Sequence, residues 1–406
     1  MQHSPRLPGL WMAKVLAARG HACAVLVAVI LIATAVVGRA TAWQPAPRQE
    51  SGPVAIPVAV FGSDDRTPTP AKYKDVHEKI GLFFNLRRRT VCTAFCVAPD
   101  VIATAGHCLL GTVGERPARF GDFSFARNFD AVRDQVRIAG HANGTAMQHV
   151  MVGSMTLSTR PPIDASRDWA LVRLARPACS KGVLPLRVLP IEQILSEATD
   201  QHVFQIAYHR DYIPWKPAYS RPCGVAKSFG PVDWKQIVRD FADPEALLLH
   251  TCDTGGASSG SPILLDTPDG PAVIGINVGT YQQSKVLMQD GEVKKRLKAD
   301  TIANTGVASA AFAGKLDAFR QAVILASVAE MRELQGLLAQ RQLYSGPVDG
   351  TYGADLKTAI EAYEKAEGLP VMGLATMALL QRLGGGVATG AERAKEPKGK
   401  VRRGRS

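Results

Sequence analysis

The sequence predicts a mostly β fold of barrels or a sandwich, followed by a small helical domain. Two observations carry this. Between Ala55 and Val307 the chain is a series of short apolar or alternating runs rich in β-branched residues, punctuated by Gly, Pro and Asp. Helical periodicity appears only after Ala308. The runs, in order, are VAIPVAVF, IGLFFN, VCTAFCVA, VIATA, WALVRL, HVFQIAY, LLLH, SPILL and AVIGINVG. With no amphipathic helices read between them, such runs close into barrels or stack as a sandwich. Ala308–Leu325 and Val328–Gln342 are expected helices, with shorter ones at Leu356–Ala366 and Ala375–Leu383.

A chain of 406 residues exceeds one ordinary core and implies two or three domains. Hydrophobic content of 46% and charged content of 21% are those of a globular protein. The net charge of +12 is concentrated toward the end: Glu392–Ser406 holds seven Lys/Arg and two Glu. That favours anionic surfaces in general and implies no specific nucleic acid. Residues 385–406 lack apolar periodicity and are expected to be a disordered basic tail. At the other end, Arg6, Lys14 and Arg19 precede an apolar run from Ala22 to Val37, and Ala40-Thr41-Ala42 follows. This is the layout of a secretory signal peptide over residues 1–42. Residues 43–54, rich in Pro and Gln, read as a linker or short pro-segment.

Export sets the cysteine chemistry. Cys23 lies in the leader; Cys92, Cys96, Cys108, Cys179, Cys223 and Cys252 remain. An even count in an exported chain implies three disulfides, with 15 pairings open to six cysteines. Their spacings are not those of a zinc site, so no metal and no cofactor are expected. Cys92 and Cys108 lie across an expected hairpin, and their bridge would stabilise by about 3 kcal/mol.

Three segments carry the chemistry. VIATAGHC is an apolar strand ending at His107. DWALVRL places Asp168 at the head of a strand apolar enough to be buried, where a carboxylate needs a partner such as an imidazole N–H. TCDTGGASSGSPILL has the glycines for a tight loop whose backbone amides converge. Ser259 is the favoured nucleophile there, with Ser258 and Ser261 as competitors and the N–H groups of Ala257 and Ser259 as the oxyanion hole. A base, an orienting acid and a hydroxyl are the parts of nucleophilic acyl transfer.

TAGHC, DWAL and SSGSP, in this order, resemble the trypsin/chymotrypsin superfamily of serine peptidases, and within it the bacterial group related to glutamyl endopeptidases. The resemblance spans roughly 54–307. It implies two six-stranded antiparallel β-barrels, a triad of His107, Asp168 and Ser259 in the cleft between them, and a serine endopeptidase acting on proteins or peptides. Ser258 stands where animal trypsins carry an activating Asp, so that form of zymogen switch is not expected. By the same resemblance Asp253, Thr254 and Asn277 fall at specificity-pocket positions. An acid there would favour Arg or Lys, whereas Thr254 and Asn277 sit where acid-cleaving relatives carry Thr and His; the preference stays open. Cys223–Cys252 would brace the nucleophile loop, leaving Cys96–Cys179, and these pairings stay open too.

The second resemblance covers residues 328–383. LQGLL, PVDGTYG, TAIEAY, GLPVMG and ATMALLQRL are similar to the three-helix peptidoglycan-binding domain. Gly350 and Gly353 suit a turn with positive φ, closed by the Asp349 side chain. The organisation expected is a peptidase domain at 55–325 and a helical domain at 326–384. The corresponding protein is secreted or periplasmic, monomeric, and associated with the envelope through peptidoglycan. A catalytically idle scaffold, or a wall-binding protein acting through its C-terminal module, is the alternative.

Overall fold

The computed structural model describes residues 59–384 except 111–118, 128–133, 201, 214–215, 284–285, 290–291 and 297–299. The expected leader, linker and basic tail lie outside the described residues. Among the described residues no helix is long and apolar enough to cross a membrane.

The first barrel follows a short strand β1 (Thr67–Pro68) and one helical turn, α1 (Lys74–His77). It is built from β2 (Ile80–Asn85), β3 (Thr90–Ala98), β4 (Val101–Thr104), β5 (Ser124–Arg127), β6 (Val136–Arg137), β7 (Val150–Val152) and β8 (Ala170–Arg173), with α2 (His107–Leu110) after β4. The antiparallel order is β6-β5-β2-β3-β4-β8-β7. A bridge between Ile138 and Leu174 joins the end of β6 to the end of β8. Six strands therefore close on themselves, and β7 is an additional edge. IGLFFN is buried along its whole length. Gly81 within it is required, because a Cβ there would meet the Ala126 carbonyl oxygen at 2.5 Å.

The second barrel starts with α3 (Ile191–Asp200) and β9 (Val203–Tyr208), β10 (Pro217–Cys223) and β11 (Val225–Ala226). Then come α4 (Trp234–Asp240), β12 (Leu247–His250), β13 (Pro262–Thr267), β14 (Gly270–Gln283), the ribbon β15 (Val286–Gln289) and β16 (Glu292–Arg296), and β17 (Asp300–Ala308). The order is β1-β10-β9-β13-β14-β17-β12-β11. β10 and β11 are one strand broken at Gly224, pairing β9 on one half and β12 on the other, which closes a second six-membered ring. The mostly β class and the six-strand rings agree with expectation, while the sheets themselves hold seven and eight strands. Two expectations are corrected. α3 and α4 intervene between strands, where no helix was read. The expected helix at Ala308–Leu325 is strand to Ala308 and helix only as α5 (Ala313–Gln321). The residues after α5 are extended instead: Met377 N–H donates to the Val323 carbonyl and Leu325 N–H to the Ala375 carbonyl.

The C-terminal helices are α6 (Val328–Gln340), α7 (Ala354–Ala366) and α8 (Met377–Arg382), packed around Leu334, Leu338, Leu356, Ile360 and Leu380. Ser327 caps α6 reciprocally with Glu330, an arrangement worth about 1 kcal/mol. Gln335, fully buried, donates to Asp349 Oδ1 (3.2 Å) and the Thr351 carbonyl (3.0 Å) and accepts from Gly350 N–H (2.8 Å). This fixes the PVDGTYG loop. Gly350 has φ +81°, as expected; Gly353 does not, being extended at the head of α7 with φ −151°.

Two buried histidines make stability pH-dependent. Burial pushes the pKa of His209 down to about 3, with Arg66 adding to the effect, and that of His250 down to about 4. An unfolded imidazole titrates near 6.5. Below that pH the unfolded chain takes up protons that the folded chain refuses, so stability is full above pH 6.5 and falls toward pH 4. The loss is on the order of 3 kcal/mol for each histidine. Thermal melts at pH 7, 5.5 and 4.5 should show a falling Tm, with a shallower fall in His250→Gln; a flat profile would contradict the burial argument.

Candidate active site

Strand register brings the imidazole and the carboxylate together. β4 pairs with β8 so that Thr104 faces Ala170. His107 follows the end of one strand and Asp168 precedes the start of the other, so 61 residues of separation become direct contact. Asp168 Oδ2 lies 2.7 Å from His107 Nδ1, and Asp168 Oδ1 accepts the His107 backbone N–H at 2.7 Å. Two bonds from one carboxylate fix both the ring and the peptide that carries it. Asp168 is 8% exposed, and His107 only half-buried. Burial depresses the His107 pKa, but the Asp168 charge and its hydrogen bond outweigh this, and the net shift is upward from 6.5.

The loop around Ser259 is held from three sides. Thr93 N–H donates to the Ser259 carbonyl (2.9 Å), and Thr93 Oγ1 donates to the Ala257 carbonyl (2.8 Å). Gly260 N–H donates to the Asn277 carbonyl at 2.7 Å. Ala257 sits at φ +82°, in the left-handed region that costs a residue with a Cβ about 1 kcal/mol or more. Gly260 has φ +86°, and a Cβ on it would lie 2.1 Å from Thr104 Oγ1 and 2.2 Å from the Thr93 carbonyl oxygen. Gly260→Ala should therefore leave a soluble chain with peptidase activity reduced by at least ~10²-fold, the scale expected when reacting groups are displaced by an ångström. Unchanged kcat/KM in a correctly folded Gly260→Ala chain would refute this reading of the loop.

Of the three serines only one is available. Ser258 is buried, its hydroxyl accepting from Asn277 Nδ2 at 3.3 Å. Ser261 is fully buried, its hydroxyl donating to the Ser258 carbonyl (2.6 Å) and accepting from Gln205 Nε2 (2.7 Å). Ser259 is half-exposed, and its hydroxyl makes no hydrogen bond to a described residue. The structure therefore joins His107 directly to Asp168 but shows no bond from the Ser259 hydroxyl to the ring. Cys108 Sγ lies between the two segments, 3.9 Å from His107 Nε2 and 4.0 Å from the Ser259 carbonyl oxygen. The backbone amides follow the same pattern. Those of Ser258, Gly260 and Ser261 donate to carbonyls, while those of Ala257 and Ser259 donate to no described residue.

The cysteines pair as Cys92–Cys108, Cys96–Cys179 and Cys223–Cys252. His107 lies near the first pair and His250 near the last, close enough to form metal-like groups, but disulfide sulfurs are not thiolates and offer no such ligand set.

A cavity of about 470 Å³ opens beside His107 and Asp168. Ile163, Phe241 and Tyr281 give it apolar and aromatic walls, and Val278–Gln282 of β14 form one side. β14 pairs with β13 only as far as Ile276 but with β17 as far as Gln283. Residues 278–282 thus expose an unpaired sheet edge to the cavity. None of the three wall residues belongs to a motif legible in the sequence, and only their spacing around the strands brings them here.

The pocket positions fall differently from expectation. Asp253 is 3% exposed and does not line the cavity: its two oxygens accept the backbone N–H of Phe61 (2.8 Å) and Asp65 (3.1 Å). Burial raises its pKa. Thr254 and Asn277 are buried, with Thr254 Oγ1 bonded to Asn304 Oδ1 (3.2 Å) and Asn277 Oδ1 to His250 Nε2 (3.1 Å). Asn304, which also accepts from Thr280 Oγ1 at 2.8 Å, was not read from the sequence.

Comparison with known proteins agrees with this geometry. Residues 92–276 match the family described as "Trypsin-like peptidase domain", and residues 327–383 the one described as "Putative peptidoglycan binding domain". No curated protein matches the sequence. Among solved structures, a Glu endopeptidase in complex with MPD is similar at 19% identity and TM-score 0.44, over 64% of this chain and 100% of that one. A thermostable serine protease from an extremophilic microorganism is similar at 16% identity and TM-score 0.38, over 61% and 99%. Residues 92–276 are a trypsin-like peptidase domain, and a domain of the peptidoglycan-binding family follows at residues 327–383.

Proposed function

We propose that Ser259 attacks the carbonyl of a peptide bond, with His107 Nε2 taking the hydroxyl proton and Asp168 holding the ring in the required tautomer. The attack forms a bond from Ser259 Oγ to the carbonyl carbon and moves the π electrons onto oxygen. The amides of Ala257 and Ser259 receive that oxyanion, a donor pair in which each member is typically worth about 3 kcal/mol or more. His107 then passes its proton to the leaving amine, and water repeats the sequence on the acyl-enzyme. The observation that carries this reading is the fate of the three serines: two are buried and bonded, and the half-exposed one keeps its own amide and that of Ala257 without an acceptor among the described residues. The substrate segment before the cleaved bond adds as a strand to the open edge at 278–282, where main-chain bonds give affinity.

The basic-side-chain preference is not carried forward, because both Asp253 oxygens are committed to the 61–65 backbone. Export through residues 1–42, followed by a linker or short pro-segment at 43–54, fits three disulfides. Residues 326–384 would hold the enzyme on peptidoglycan, aided by the basic tail 385–406, leaving the peptidase domain at 55–325. A fluorophosphonate probe tests the reading: it should label the processed wild type and not Ser259→Ala. A folded, processed chain that takes no label would favour the idle scaffold instead.

A further inference from the structure

Four arginines gather next to the Ser259 loop, and none of them lines the cavity. Arg87, Arg88 and Arg89 occupy the turn between β2 and β3, and Arg210 follows β9. The turn is built rather than loose. Asn85 Oδ1 accepts the backbone N–H of Arg87 (3.1 Å) and Arg88 (3.2 Å), and Arg89 takes the left-handed conformation at φ +55°. Arg210 ties this turn to the catalytic loop: its backbone N–H donates to the Gly256 carbonyl (2.7 Å), and its Nη2 donates to the Arg89 carbonyl (2.8 Å). On the other flank, β3 touches the same loop through Thr93 N–H on the Ser259 carbonyl.

Arg89 and Arg210 are exposed, and neither forms an ion pair with a described residue. Arg87 is paired with Asp122 at 3.7 Å, and Asp211, next to Arg210, is bonded to Arg66 at 2.7 Å. One guanidinium edge of Arg210 is spent on the Arg89 carbonyl, which fixes its plane and leaves its remaining donors to solvent.

We propose that this arginine face is a subsite for an acidic side chain, Asp or Glu, in the first three residues after the cleaved bond. The inference rests on the reading of Ser259 as nucleophile and of the open β14 edge as the site for the acyl half of the substrate. With that half in the cavity beside His107, the departing half passes the Ser259 loop toward the β2–β3 turn and Arg210, which bonds to that loop through Gly256. A carboxylate there meets the guanidinium groups of Arg89 and Arg210, neither of which is paired with a described acid.

The test uses the processed full chain and matched internally quenched peptides differing only at the second and third residues after the cleaved bond, Glu against Gln against Lys. Wild type should prefer Glu over Gln about fivefold for each arginine engaged, the range of a partly exposed charge pair, and Lys should be poorest. The Glu/Gln ratio should shrink as ionic strength rises. Arg210→Gln combined with Arg89→Gln should bring the ratio near one, Arg210→Lys should restore part of it, and Arg137→Gln, on β6, should leave it as in wild type. The same peptides titrated against the Ser259→Ala chain read the face without turnover. A Glu/Gln binding ratio of one there, or a ratio that survives in the double variant, overturns the proposal. Cleavage that persists in Ser259→Ala with the binding ratio intact overturns the nucleophile assignment alone. Equal gains for polyanions such as heparin, with no difference between the Glu and Gln peptides, would make the face a general anion surface and also overturn the subsite.

Discussion

Ser259→Ala is expected to lower kcat by about 10⁶-fold, while Ser258→Ala and Ser261→Ala lose far less. Removing the hydroxyl leaves the oxyanion amides and the cleft but no acyl-enzyme, and residual catalysis in comparable triads comes from those parts alone. The neighbouring serines respond differently because their hydroxyls do different work. Ser261 Oγ bridges Gln205 and the Ser258 carbonyl in the interior, so Ser261→Ala strands buried polar groups and costs about 1–3 kcal/mol of stability before it costs rate. Ser258 Oγ has one long bond to Asn277. Burst kinetics with an activated ester, alongside melting temperatures, separate the three. A burst that persists in Ser259→Ala and disappears in Ser261→Ala would move the nucleophile.

Why the site was legible follows from where its constraints lie. His107, Asp168 and Ser259 each sit in a segment of five to seven residues whose local chemistry is specific: a strand end beside a cysteine, a carboxylate heading a buried strand, a loop of glycines and serines. The pairing of β4 with β8 then brings His107 and Asp168 together, while no bond joins the Ser259 hydroxyl to the ring. The partners of Asp253 were not legible, for the opposite reason. Its position in the chain is that of a pocket acid, but its direction is set by two amides about 190 residues away in the 61–65 segment, and nothing local to TCDTGG records that contact. Ile163, Phe241 and Tyr281 are ordinary apolar residues until three loops converge on them.

The strands show the same division. IGLFFN, VCTAFCVA and SPILL announce themselves because nearly all their residues are buried. Ser124–Arg127, Pro217–Cys223 and Asp300–Ala308 are strands of mixed polarity, held by pairing with neighbours on both sides, and their composition does not distinguish them from loops. Only the last residue of Asp300–Ala308 fell in an expected helix, because Ala308 is small and apolar and such a residue serves either structure. The C-terminal module was clearer, since its helices bury one stripe each at regular spacing.

Asp168→Asn gives a loss of about 10⁴-fold in kcat together with a displaced pH profile, and the second effect identifies the cause. In wild type the Asp168 carboxylate holds the His107 pKa above the ordinary 6.5 against the pull of burial. The base must be neutral to accept the serine proton, so kcat/KM rises with pH through that elevated value. The amide of Asn carries no charge to favour imidazolium, while burial still disfavours it, so the acid limb moves to lower pH even as the ceiling drops. An Asn side chain can also present N–H toward Nδ1 and so select the wrong tautomer, which accounts for the size of the loss where charge alone would not. Stability moves with opposite sign from that of the buried histidines. A raised folded-state pKa contributes stability below the unfolded value near 6.5, and this contribution is lost as pH rises through the folded-state pKa. Asp168→Asn should therefore cost more stability at pH 6 than at pH 9. A pH–rate profile of Asp168→Asn with its acid limb unmoved would show that the carboxylate does not charge-stabilise His107, whatever the drop in rate.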